Sequence, residues 1–490
     1  MFRLFIPIVV TTAALALSAC VGGSSDGSSG TVSASGAGNG PPVLTSQSLL
    51  SAMGGNQPPA GVGCGWGVAS DPDKVNVAFP DSAAKYWVTL APITPGTRLK
   101  IQGKFPDARY FSFNAYDAAQ RPTDAIADVE LEPDAGAVNS FRQTAAAGGG
   151  YTAYLQFGPS PTQQPTVPRA RNTLYAGDIQ LGTRAVPNSG LVMLIYRVYV
   201  SAKGEFADGG VGLPTLTVET ADGSRALGTL PTCAEPPLPN LGGQLPPLGL
   251  NDRLLAMDYP NQLALDFPTA AYPPRTNRFY GLGEVGTQVI NSRLGTDVQT
   301  PGAVSLGAGG FLSNIHNAYT TTTFSRRFGS LAVVRAKAPS FRSQAGVERG
   351  FENLRYWSLC GNEFATQRFT ACSADFQTPL DDAGYFTVVI SDPADRPANA
   401  TAANGFAWLP WGPYADQVLI YRHMLENPAF PQTIQRVPKG TPIHDVMGDY
   451  TPVGTYCNPA VFTQSVRPAD VFAACVADQA QNPPTLVLGR

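Results

Sequence analysis

Apolar and polar residues alternate along this chain with a period of two rather than 3.6. From Thr97 to Lys104, Leu99 and Ile101 alternate with polar neighbours. From Tyr110 to Tyr116 one parity carries Tyr110, Ser112, Asn114 and Tyr116, and the other Phe111, Phe113 and Ala115. A period of two sends successive side chains to opposite faces of a sheet, so these stretches read as strands. Tyr151 to Phe157 and Leu213 to Glu219 read the same way. Leu191 to Val200 is the most apolar run, as expected of a mid-sheet strand covered on both faces. The 51 glycines and 44 prolines break these runs into short pieces and favour turns over long helices. The helical signals are a short stretch at Ser46 to Met53 and a segment opened by Pro468 with Ala469 to Gln479 as its body. The pattern predicts a mainly β chain built from antiparallel β-sandwich (jelly-roll-like) domains with few short helices.

One stretch occurs twice: Leu194-Ile195-Tyr196-Arg197 returns as Leu419-Ile420-Tyr421-Arg422. Tyr86, Lys104 and Pro106 match Tyr319, Lys337 and Pro339, each 233 positions on, and Asp81 and Asn314 keep that offset. After an insertion around Arg342 to Leu354, Arg109-Tyr110-Phe111-Ser112-Phe113 matches Arg355-Tyr356-Trp357-Ser358-Leu359, Ala127-Asp128 matches Ala374-Asp375, and a strand from Tyr151 matches one from Tyr385. A period this long makes each copy a domain rather than a solenoid unit. The expected division is a first domain over 61–235, a proline-rich linker over 236–250 and a second domain over 251–490 with a C-terminal helix. Residues 251–310 have no counterpart in the first copy.

At the N-terminus, Arg3 precedes an apolar run from Leu4 to Leu17 that is short for a membrane span. It leads into Leu17-Ser18-Ala19-Cys20, which resembles the lipobox of bacterial lipoproteins. That resemblance implies a signal peptide over 1–19, cleavage before Cys20, a lipid carrying palmitate on Cys20 and a membrane partner held through it. Val21, where retained lipoproteins have aspartate, implies sorting to the outer membrane. The alternative is an ordinary secretory signal with a chance cysteine. Residues 20–60 read as a flexible Gly/Ser/Ala tether, too poor in large side chains to fold at its start.

Six cysteines remain, an even number in an exported chain, which points to disulfides. Position suggests Cys64 with Cys233, Cys360 with Cys372 and Cys457 with Cys475, although six cysteines allow 15 pairings. No C-x-x-C pair and no Cys/His group of zinc spacing is present, so no metal is expected. The pieces Tyr110-Phe111-Ser112-Phe113-Asn114-Ala115-Tyr116-Asp117 and Trp408-Leu409-Pro410, each followed by the repeated strand, resemble an uncharacterised bacterial envelope family of jelly-roll type, present here twice. That resemblance implies a fold and no reaction.

Charge narrows the function. The net charge is −3, only 14% of residues are charged, and there is no basic tract, which argues against nucleic acid. Arg197 and Arg422 interrupt apolar strands and need partners to offset desolvation, and Asp128 and Asp375 could supply them. The functional reading is an anion or sugar site in each domain; the structural reading is a buried pair that fixes strand order. Lys104 with Arg109, and Lys337 with Arg355, could line pockets, or the lysines could simply close strands. Trp357, Trp408, Trp411 and Tyr414 could form an aromatic platform, or core. His423 stands where the first copy has Val198, His444-Asp445 reads as a loop pair with no visible partner, and His316 is the third histidine. The aligned acids Asp117 and Glu363, with Asp375, Asp381 and Asp382, could form a hydrolase carboxylate pair, although acids at strand ends and turns are common. No G-x-S-x-G, H-E-x-x-H or P-loop is present, and Gly281-Leu282-Gly283-Glu284-Val285-Gly286 reads as a loop rather than a nucleotide site. The expectation is an outer-membrane-anchored lipoprotein that binds a small molecule, glycan or protein without catalysis and without a cofactor. The alternatives are an envelope hydrolase of a glycan or ester and a structural component of an envelope assembly. His423, Glu363 and Asp375 are the catalytic candidates.

Overall fold

The computed structural model describes residues 64–232, 272–279 and 312–484, with gaps at 73–75, 77–78, 92, 118–120, 182–183, 189, 191, 203–207, 364–367 and 414–415. The lipobox with Cys20, the tether, the linker over 236–250, Cys233, Tyr414 and the glycine-rich 281–286 lie outside the described residues. The chain divides into two compact units, Met1–Ser70 with Lys85–Leu248 and Asp71–Ala84 with Gly249–Arg490. The segment Asp71–Ala84, inside the expected 61–235, therefore belongs to the second unit.

The first unit carries β1 (Val68–Ser70), β2 (Ala84–Ala91), β3 (Thr97–Lys104), β4 (Ala108–Tyr116), β5 (Pro122–Ala127), β6 (Gly150–Gln156), β7 (Thr173–Tyr175), β8 (Asp178–Leu181), β9 (Arg184–Pro187), β10 (Val192–Ser201), β11 (Thr215–Thr220) and β12 (Ala226–Leu230). Two five-stranded sheets, ordered β1-β2-β10-β4-β5 and β12-β11-β3-β6-β7, enclose its core, and β8-β9 is a separate ribbon. The second unit carries β13 (Thr276–Phe279), β14 (Asn317–Ser325), β15 (Leu331–Lys337), β16 (Leu354–Glu363), β17 (Phe369–Ala374), β18 (Tyr385–Ser391), β19 (Ala407–Pro410), β20 (Asp416–Glu426) and β21 (Val453–Tyr456), with helices α1 (Ile443–Met447), α2 (Pro459–Phe462) and α3 (Pro468–Gln481). Its sheets run β13-β14-β20-β16-β17 and β19-β18-β15-β21. The fold is mainly β, with sheets stacked as sandwiches. Among the described residues no helix is long and apolar enough to cross a membrane.

The repeat is one topology written twice. The two LIYR strands, β10 and β20, are each third in a five-stranded sheet. Arg197 faces Ser112 and Arg422 faces Ser358; Ser112 faces Ala127 and Ser358 faces Ala374. Each partner sheet ends in a parallel pair, β6-β7 and β18-β19, so the sandwiches are antiparallel apart from those edges. Lys104 pairs with Gly150 and Lys337 with Tyr385. Tyr385 is thus the counterpart of Gly150, and Tyr151 that of Phe386, one position from the alignment expected of these strands.

The parity of β4 decides which face is core. Phe111, Phe113 and Ala115 join Tyr151 and Tyr196 in the first unit's apolar cluster, with Phe113 and Tyr196 stacked at 5.1 Å between ring centres. The second unit needs more cover. In β3 buried and part-exposed residues alternate, whereas Leu331 to Val334 of β15 are all buried. One face of β15 packs inside the sandwich; Leu331 and Val333 on the other meet Phe462, Val471 and Cys475 from α2 and α3. That second layer explains why β15 reads as continuously apolar. The disulfide Cys457–Cys475 ties β21's end to α3, and Cys360–Cys372 joins β16 to β17. Cys64 is also disulfide-bonded.

A close contact separates the two cores. A methyl group on Gly103 would lie 2.5 Å from Tyr151 Oη and 2.6 Å from its Cζ, and that ring is buried. The second unit places Ala336 opposite Phe386, a larger residue facing a ring without the hydroxyl. Gly103→Ala is expected to cost about 1–3 kcal/mol in chemical denaturation. Gly103→Ala with Tyr151→Phe should regain only part of that loss, because Cζ stays 2.6 Å from the added methyl, and Gly103→Ala with Tyr151→Leu more of it; no recovery in either would show that the ring is not the obstacle.

Candidate functional site

The polar parity of β4 and β16 faces away from the apolar cores, and here the sequence concentrates its chemistry. In the first unit Tyr110, Ser112, Asn114, Tyr116, Arg197 and Tyr199 are all buried. Arg197 Nη2 donates to Tyr116 Oη at 2.7 Å, and its guanidinium lies 4.7 Å from the centre of the Tyr86 ring. The Tyr86 and Tyr199 hydroxyls share a hydrogen bond of 3.1 Å, and Asn114 Nδ2 donates to Ser112 Oγ at 2.8 Å.

In the second unit the matching face carries Tyr356, Ser358, Cys360 and Arg422, and residues of the Asp71–Ala84 segment lie against it. Arg422 Nη2 donates to the carbonyl of Phe79 at 2.7 Å, with the Tyr319 ring centre 5.9 Å away. Phe79 joins Phe279, Tyr319, Val418 and Ile420 in a small apolar cluster. Asp81, 1% exposed, accepts hydrogen bonds from Tyr356 Oη at 3.0 and 3.1 Å, Ser358 Oγ at 2.6 Å and the Ala83 N–H at 3.0 Å. Burial, with Asp81 and Asp375 nearby, pushes the Tyr356 phenol well above its ordinary pKa, so it stays a donor. Asn76 exchanges two 2.8 Å hydrogen bonds with the backbone of Phe369 on the edge strand β17.

Asp128 and Asp375 occupy equivalent places and do equivalent work. The Phe111 N–H donates to Asp128 Oδ2 at 3.0 Å, and the Trp357 N–H to Asp375 Oδ2 at 3.2 Å. Each carboxylate, just past the end of the neighbouring strand, accepts from an amide inside the strand that faces the arginine. The basic residues scatter. Lys104 is exposed while Arg109 is buried. Lys337 Nζ lies 5.6 Å from the Tyr450 ring centre, and Arg355 Nε is 3.9 Å from Glu352. The tryptophans divide as well. Trp357 and Trp411 are buried in the sandwich core, and Trp357 Nε1 donates to the Pro339 carbonyl at 2.9 Å. Trp408 is half-buried on β19, with Nε1 3.1 Å from Ser391 Oγ and the exposed Arg396 guanidinium 4.6 Å from its ring centre.

His423 and Glu363 do not form an open acid–base pair. Glu363 lies at the end of β16, 9% exposed. His423 is fully buried against Tyr421 at 4.6 Å between ring centres, and the Ile434 N–H donates to its Nδ1 at 3.3 Å. A neutral ring accepting at Nδ1 carries its hydrogen on Nε2, which has no hydrogen-bond partner among the described residues. Burial lowers its pKa from 6.5 to about 3. Asp81 is the residue that sequence reasoning did not single out. Its only sequence signal is an acid in one copy where the other has Asn314.

The pKa of His423 fixes a pH dependence. Its folded value lies below its unfolded one, so the unfolded chain binds more protons between them. This contribution is complete above about 6.5 and is lost as pH falls toward 3. Urea unfolding should show stability falling across that window, with this histidine adding at most about 1.4 kcal/mol per pH unit. His423→Asn, which keeps an acceptor near Ile434 and does not titrate, should flatten the slope by that share. An unchanged slope would place the histidine in contact with water.

No family model matches the chain, and no curated protein matches it. Among solved structures, it is similar to an uncharacterised protein from Burkholderia cenocepacia, with 12% identity, a TM-score of 0.39 and coverage of 74% of this chain and 79% of that one. It is also similar to an uncharacterised protein from Vibrio parahaemolyticus, with 12% identity, a TM-score of 0.36 and coverage of 78% and 90%. Likenesses this weak assign no function to either unit.

Proposed function

We propose that this protein is a lipoprotein of the bacterial envelope, anchored in the outer membrane through Cys20, whose second domain binds a ligand or partner without catalysis. The lipobox-like Leu17-Ser18-Ala19-Cys20 supports the anchor. One observation carries the binding reading. The groups capable of chemistry (Arg422, Asp375, His423) are buried, while Trp408 on the edge strand β19 and Arg396 in the loop before it reach solvent together, the guanidinium steadied by the Ala400 carbonyl at 2.7 and 3.0 Å. An aromatic ring edge beside a guanidinium suits a glycan or an anionic, partly apolar ligand.

Two results are expected. Cys20→Ser should abolish palmitate labelling and release the protein from the membrane fraction; labelling that persists would sink the anchor. Native mass spectra of the protein taken from its own host's envelope should show a reproducible added mass. Arg396→Ala, a change at an exposed side chain, should lower occupancy about tenfold with circular dichroism unchanged. A clean mass for the unaltered protein overturns the ligand reading. Turnover of a glycan or ester that is lost in Glu363→Ala would favour a hydrolase instead.

A further inference from the structure

Cys360 and Cys372 face each other across β16 and β17, joined by a disulfide. Cys360 is buried; Cys372 is half-buried on the outermost strand of its sheet. Asp81 lies over the same face, and one of its carboxylate oxygens and the two sulfurs are all within 4.8 Å of one another.

Three observations make this corner more than a staple. First, the first unit builds the same strand pair with Asn114 opposite Ala125, so this sheet forms without a covalent link. Second, Asp81 is almost completely buried, yet no basic side chain among the described residues lies within ion-pair distance of it. Two hydroxyls and a backbone amide donate to its carboxyl oxygens. Third, reduction brings the three donors within reach of the spacing a small cation needs. Zinc bonds of about 2.3 Å to sulfur and about 2.0–2.2 Å to oxygen place tetrahedral donors roughly 3.5–3.8 Å apart. The carboxylate oxygen needs to close by about an ångström at most, and the two sulfurs, bonded at 2.04 Å, part by roughly 1.5–1.8 Å once the bond is reduced.

We propose that reducing this disulfide creates a zinc site held by Cys360 Sγ, Cys372 Sγ and the Asp81 carboxylate, with the fourth position open to water. A dithiol supplies two electrons and two protons, becoming a disulfide as the S–S bond becomes two thiols. Binding Zn²⁺ then releases the two thiol protons to solvent. Two thiolates with one carboxylate suit a borderline-soft divalent ion; calcium and magnesium require oxygen ligands. The bond and the metal exclude each other, so the corner senses redox state through metal occupancy.

The test uses the full chain in detergent, reduced with a water-soluble phosphine under anaerobic conditions, dialysed against Zn²⁺ and assayed for bound metal. The reduced protein is expected to hold one more zinc per chain than the oxidised protein. Cys360→Ser with Cys372→Ser should remove that difference, and Asp81→Asn should weaken binding at least tenfold. All other cysteines remain in these variants, so the difference reports this corner alone. Equal zinc in the reduced protein and the double-serine variant would overturn the proposal. So would zinc held equally by the oxidised chain, unchanged affinity in Asp81→Asn, or circular dichroism showing that the reduced, zinc-loaded chain has unfolded.

Discussion

A charged arginine in the middle of an apolar strand is the constraint around which each unit is built. β10 and β20 put Tyr196 and Tyr421 into a sandwich core and Arg197 and Arg422 onto the opposite face. A buried guanidinium without partners costs several kcal/mol. The structure offsets this with hydrogen bonds to a charged group, worth about 1.5–3 kcal/mol each, and with aromatic rings, worth up to about 2 kcal/mol when desolvated. For Arg422 these are the Phe79 carbonyl and Tyr319; for Arg197, the Tyr116 hydroxyl and Tyr86. In the second unit this solution brings in a segment distant in sequence. Asp71–Ala84 provides the carbonyl that Arg422 requires, and Asp81 completes the polar face beside it.

Against this shared frame the two copies have diverged by layer. The second unit adds α2 and α3 over the outside of β15 and β18, which turns an alternating strand into an apolar one. Ala336 with Phe386 stands where the first unit has Gly103 with Tyr151, so the two cores fill similar space with different shapes. His423 stands in place of Val198 and is held neutral by burial, against Tyr421 and the Ile434 amide. The substitutions cluster at the central strands, where neighbours on both faces must change together.

How much of this was legible in the sequence follows the range of each interaction. Strand parity is local, and Tyr110 to Tyr116 divided into faces as the alternation required. So did Thr97–Lys104 and the helix opened by Pro468. The cysteine pairs within the second unit were legible because their separations are short. Partner choice was not. Asp128 and Asp375 matched across the repeat and suggested partners for the arginines; that each also accepts from a strand amide was not visible. Whether a carboxylate meets a cation or a backbone N–H depends on angstrom-scale geometry that spacing does not encode. Tryptophan burial was unreadable for a similar reason: Trp408 and Trp411 are three residues apart, and one reaches solvent while the other is core.

The inward placement of polar groups bears on where recognition can occur. A face closed by a covering segment can bind a solute only if that segment moves, and here it is held by the Asp81 and Arg422 hydrogen bonds and by Asn76 on β17. The β19 edge is tied less broadly, with Thr370 Oγ1 and Gln417 Nε2 donating to the Pro410 carbonyl at its end at 3.2 and 2.8 Å. β19 pairs on one side only, its Trp408 packs against the α2–α3 layer, and Arg396 closes over the ring from a loop. A rigid strand that positions loop side chains at its margin is the arrangement by which sandwiches bind without rearranging. The same contrast separates the two chemistries of the second unit. Ligand contact belongs to the open edge at β19, whereas any change at Cys360 and Cys372 acts beneath the covering segment, through the residue that pins it.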